Sequence, residues 1–187
     1  PEFDFAFFAD KGVTLSGSPG VVIDSYNSNF FPYDSLAATA NATVGTNSTQ
    51  EGAVALNGNV SVKGDVEVGV GGNPASAIYI GPNTSIVGTT GTLSETKTYQ
   101  EPSVPHSAVD LGNVSLSSQS SLSLNGTYKM SSLSISGNGM LNITGPTTIY
   151  LTGDSSISGN GIATASNLPK NLIIQVVGNH TLSYSGN

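Results

Sequence analysis

Twelve acidic residues and two histidines are where acid-base chemistry would have to start in this chain. Glycoside cleavage needs two carboxyl groups at a set separation across the scissile bond. The acids, among them Asp4, Asp10, Asp24, Asp34, Glu95, Asp110 and Asp154, stand mostly alone. Asp65 and Glu67 are the close pair that a strand period of two puts on one face. The same pair could hold Ca2+, with carbonyl and Asn oxygens completing the shell. No Gly-Gly-x-Gly-x-Asp array accompanies it, so a solvated face is the preferred reading and no metal or cofactor is expected. His106 lies in a proline-bearing stretch and His180 in a turn-like Gly178-Asn179-His180. No serine sits in a Gly-x-Ser-x-Gly elbow, so a Ser/His/Asp triad has no sequence support. Cysteine and arginine are both absent. That removes a thiol nucleophile, and it removes the strong cation that sugar-acid lyases use. The chain therefore reads as a non-enzyme.

One stretch is chemically richer. Asp24-Ser25-Tyr26-Asn27-Ser28 is followed by Phe30, Phe31 and Tyr33. An Asp at the head of such a run can cap exposed backbone N–H groups in an Asx turn. Asp24, Ser25, Tyr26, Phe31 and Tyr33 thus form a candidate structural cap over the end of a stack. The alternative is a ligand surface built by the same aromatics.

The elements that would position these groups are strands. Ile135-Ser-Gly-Asn-Gly recurs as Ile157-Ser-Gly-Asn-Gly 22 positions later, with two β-branched runs between. A repeat of that length made of strands and Gly/Asn turns predicts coils that bury their apolar faces against one another. Val54, Leu56, Val60, Val62, Val66 and Val68 alternate with polar residues, which predicts one inward face. An apolar residue, then Ser or Asn, then Gly closes a strand-like run six times, at Leu15, Leu56, Leu124, Ile135, Ile157 and Tyr184. Residues 35–47 have no clear period, and their alanines allow a short helix. Asn171 to Val177 reads as an apolar strand buried on both faces, pairing beside the stack. Thr89 to Pro105 reads as a polar, proline-bearing excursion. The expected fold is all-β, a right-handed parallel β-solenoid of some irregularity. It forms one domain over 1–187, with a subdivision into 1–99 and 106–187 joined by 100–105 as the alternative. The closing Ser185-Gly186-Asn187 repeats the SGN phrase, which suggests that the domain continues further.

Composition narrows the partners. Charged residues make up 9% of the chain, so Ser, Thr, Asn and Gly must supply its solubility. The net charge is −7, and the five lysines are scattered singly. Nucleic acid and anionic membranes require clustered cations and are not expected as partners. Eight Asn-x-Ser/Thr sequons occur, as this composition would give by chance. Thr147-Thr-Ile-Tyr-Leu-Thr152 could offer hydroxyls to ice or glycans, but an array needs the same outward residue in consecutive coils.

Three segments carry a family resemblance. Ile23-Asp-Ser-Tyr-Asn-Ser28 with Tyr33, the run Ala53 to Gly88, and Gly126-Thr-Tyr-Lys-Met-Ser-Ser-Leu-Ser-Ile-Ser-Gly-Asn-Gly through Tyr150-Leu-Thr-Gly resemble an uncharacterised bacterial surface domain. That domain occurs in proteins with a pilin-like, type IV pilus assembly type N-terminus. Weaker likenesses run to ice-binding adhesin solenoids and to the coils of polymer-forming bactofilins. The resemblance implies a structural or adhesive domain at a bacterial cell surface or pilus, outside the cytoplasm, and it brings no catalytic residues. Other surface or pilus proteins and glycans are the implied partners. An open solenoid end offers self-association. The rival readings are a carbohydrate-active β-helix enzyme and an ice- or glycan-binding adhesin domain.

Overall fold

The computed structural model describes residues 4–26, 34–159, 161–165 and 168–186. Among these residues it is mostly β, every ladder between its strands is parallel, and there is one short α-helix. Contacts divide the chain into two compact units, with the boundary after Thr98.

The first unit holds β1 (Phe7–Ala9), β2 (Val13–Ile23), β3 (Val44–Thr46), β4 (Val54–Val62), β5 (Val66–Val68), β6 (Ile78–Ile80), β7 (Ser85–Ile86) and β8 (Thr90–Thr92). One sheet runs β1-β3-β5-β8; the other runs β2-β4-β6, with β7 also on β4. Register builds columns of like residues: Val13, Val54 and Ile78 are neighbours, and so are Leu15, Leu56 and Ile80. The alternation read in β4 is the cause. Val54, Leu56, Val60 and Val62 are buried, while Ala55 and Ser61 between them are less so. Each buried aliphatic contributes about 1.5–3 kcal/mol, and stacking makes the core continuous from strand to strand. Gly58 marks the bend in β4 where the register with β2 shifts. Its φ of 72° suits glycine, and a Cβ there would lie 2.9 Å from the Gly17 carbonyl oxygen. The helix α1 (Pro74–Ala77) starts on Asn73, whose side chain accepts from the Ala75 N–H.

The second unit holds β9 (Val109–Asp110), β10 (Asn113–Leu116), β11 (Ser121–Met130), β12 (Ser132–Ile135), β13 (Met140–Leu151), β14 (Ser155–Gly159), β15 (Ile162–Thr164), β16 (Leu172–Val176) and β17 (Leu182–Gly186). Its sheets run β10-β12-β14-β17 and β15-β13-β11-β9, with β16 also on β13. The echoed phrases lie side by side: Leu116, Ile135, Ile157 and Tyr184 form one column. Their glycines touch as well, since a Cβ on Gly159 would collide with the Gly137 carbonyl. The six-fold phrase is not one feature, however. Leu15 and Leu56 share a column in the first unit, while Leu124 belongs to a different sheet from Ile135.

Three expectations change. Residues 35–47 hold a turn and β3 rather than a helix, because Val44 is needed beside Val66 in the core. Packing overrides the alanine propensity there. The apolar run at 172–176 is a regular strand on β13 and is buried on one face only: Ile173 is 41% exposed, while Leu172, Ile174 and Val176 pack on the core. Thr90–Thr92, read as part of the excursion, continues the ladder of β5.

Candidate functional site

Asp24, Ser25 and Tyr26 follow directly on β2. The Asp24 carboxylate is 8% exposed and lies 3.7 Å from Lys63 Nζ. Ser25 makes the capping bonds. Its N–H donates to the Thr39 carbonyl, it receives the Thr39 N–H in return, and its hydroxyl accepts from the Asn41 N–H at 3.1 Å. Ser25 and Thr39 form an antiparallel bridge between otherwise irregular segments. Burial pushes the Tyr26 phenol above its usual range. A recess of about 250 Å3 lies here, lined by Asp4, Phe5, Asp24, Ser25, Tyr26 and Asn41 among others. Phe31 and Tyr33, read with this group, lie outside the described residues.

Asp65 and Glu67 are on or beside β5. Val66 and Val68 are fully buried, so Glu67 between them faces outward. The Asp65 carboxylate accepts from the Thr89 N–H at 2.6 Å and from the Thr89 hydroxyl at 2.9 Å. Those two bonds hold its carboxyl below the usual range. Burial, with Asp65 nearby, raises Glu67, and Lys97 only partly offsets this. The pair is thus split: one acid is committed to bracing the next strand, the other is half-buried beside a lysine. Among the described residues no group of three or more His, Asp or Glu side chains is placed to hold a metal ion. His106 is exposed in a turn; His180 Nδ1 lies 3.6 Å from Asp154.

The feature that strand alternation alone did not reveal lies on the sheet β10-β12-β14-β17. Ser115, Ser134, Ser156 and Ser183 are neighbours in register on four successive strands, and all four are exposed. Ser158 and Ser185 begin a second column beside them. Adjacent hydroxyls are then about 4.8 Å apart across strands and about 6.6 Å apart along them. Such a ladder presents donors and acceptors on a sheet face without any charge in its columns. The signal was in the sequence as Leu-Ser-Ile-Ser and its relatives, but register alone brings those serines together.

No family model, no curated protein and no solved structure matches this chain.

Proposed function

We propose that this chain is a non-catalytic structural or adhesive domain of a bacterial cell-surface or pilus-associated protein, working outside the cytoplasm. In this reading its parallel ladders wind as a right-handed β-solenoid. Parallel crossovers within one sheet are almost always right-handed, and that preference supports the hand. The register of like residues from strand to strand supports the winding. Other surface or pilus proteins and glycans are the proposed partners.

The observation that carries the adhesive part is the exposed ladder Ser115, Ser134, Ser156 and Ser183. It favours the glycan-binding reading within the adhesive class, because a polysaccharide repeats hydroxyls along its length and can match a row of them. The test is co-sedimentation with insoluble polysaccharides such as cellulose, chitin and peptidoglycan. Valine suits an outward strand position, so Ser134→Val with Ser156→Val removes two hydroxyls while keeping the strands. Each hydroxyl bond contributes about 0.5–1.5 kcal/mol, so the double variant is expected to bind about tenfold more weakly. Equal binding by wild type and variant would remove the ladder from the adhesive account.

A further inference from the structure

The segment after β8 is fastened in an unusual way. Leu93 is buried, and its N–H donates to the Val68 carbonyl, which extends the ladder by one bond. Residues 94–96 are then exposed, and contact resumes at Lys97. The Lys97 N–H donates to Asn47 Oδ1 at 2.9 Å, and Asn47 Nδ2 donates to the Lys97 carbonyl at 2.7 Å. One side-chain amide thus makes both bonds that a neighbouring strand would make. The same Nδ2 donates to Asp10 Oδ1 at 2.6 Å, which fixes the amide from the other side. Lys97 Nζ lies 3.5 Å from Glu95 and 3.9 Å from Asp4.

We propose that residues 94–98 form a strap that opens and closes as a unit on the first unit, with Asn47 as its latch. The strap is held at one end by a buried leucine in the ladder and near the other by a side-chain amide and exposed ion pairs, so the two ends have different opening costs. Thr98 is the last residue of the first unit. Releasing the latch therefore frees the last residues of the first unit, while the β-sheets stay as they are.

Charge sets the direction in which the strap responds. Among the described residues the acids at Lys97 and its latch are Asp4, Asp10, Glu67 and Glu95, with Asp65 acting on Glu67. The exposed pairs with Asp4 and Glu95 contribute little. Glu67 differs, because it is half-buried beside Asp65 and its carboxyl is raised in spite of Lys97. Of the causes acting on Glu67, Lys97 is the one that belongs to the strap, and it favours the charged carboxylate. That attraction is present while Glu67 is ionised and is lost as pH falls through its raised pKa. Mild acid therefore loosens the strap.

Amide hydrogen exchange on the whole chain reads this directly. In Asn47→Ala the Lys97 amide is expected to exchange about tenfold faster, while the Leu93 amide stays within about twofold of wild type. Asn47→Leu, closer to the amide in volume, is expected to give the same pattern at both amides. Corrected for intrinsic rates, Lys97 protection in the wild type falls from neutral to mildly acid pH, and Glu67→Gln is expected to flatten that fall. Loss of Leu93 protection together with Lys97 in both Asn47 variants, or no change at Lys97, would overturn the strap. A rise in protection toward acid would overturn the role of Glu67.

Discussion

Asp65 and Asp154 hold matching places in the two units. Each stands just before a strand and accepts the N–H of the residue just before the partner strand: Thr89 for Asp65 at 2.6 Å, Thr181 for Asp154 at 2.8 Å. Because Val66 pairs with Thr90 and Ser155 with Leu182, each acid braces the corner next to it in the stack. The spacing of Asp65 and Glu67 was legible in the sequence, but this use of Asp65 was not, since Thr89 lies 24 residues away. A carboxyl lowered by hydrogen bonds contributes stability above its unfolded pKa and loses it as pH falls through the folded value. Asp65→Asn is therefore expected to lower the Tm at neutral pH and to flatten its fall in acid. Thermal melts across the acid range would show this, and an unchanged acid limb would assign the brace no energetic role.

At the level of elements, short strands are stable because each column is apolar on one side. Leu56 is fully buried between Leu15 and Ile80, and Ile149 between Tyr128 and Ile174. Truncating either to alanine leaves a cavity that flanking strands cannot close, at a cost of about 2–5 kcal/mol. Chemical denaturation of Leu56→Ala and Ile149→Ala measures it; losses under about 1 kcal/mol would mean loosely packed columns. The period-two pattern made β4 readable in advance. It could not give the serine ladder, because the repeats differ in length. Paired positions are 19 residues apart from Asn113 to Ser132, 22 from Leu133 to Ser155 and 27 from Asp154 to Thr181. A fixed period of 22 therefore finds Ile135 and Ile157 but passes over Ser115 and Ser183. Val44 shows the opposite limit, since a three-residue strand among alanines and asparagines is too short to announce itself.

At the level of the molecule, two cores are built from separate sets of residues. One runs from Val13 to Ile78, the other from Leu116 to Ile157. Each is a parallel stack whose outward faces are mostly Ser, Thr, Asn and Gly, which fits a chain that is 9% charged. The proposed surface function depends on one claim, that the second unit brings residues 22 positions apart into register. The chain has no cysteine, so pairs can be introduced cleanly. Ser134 and Ser156 pair directly, which puts their Cα atoms about 4.8 Å apart, within disulfide range, whereas Ser134 and Ser158 would be about 8 Å apart. Under mild oxidation, Ser134→Cys with Ser156→Cys is expected to form an intramolecular disulfide, and Ser134→Cys with Ser158→Cys to remain reduced. Cross-linking of the second pair in preference to the first would contradict the register, and with it the serine ladder.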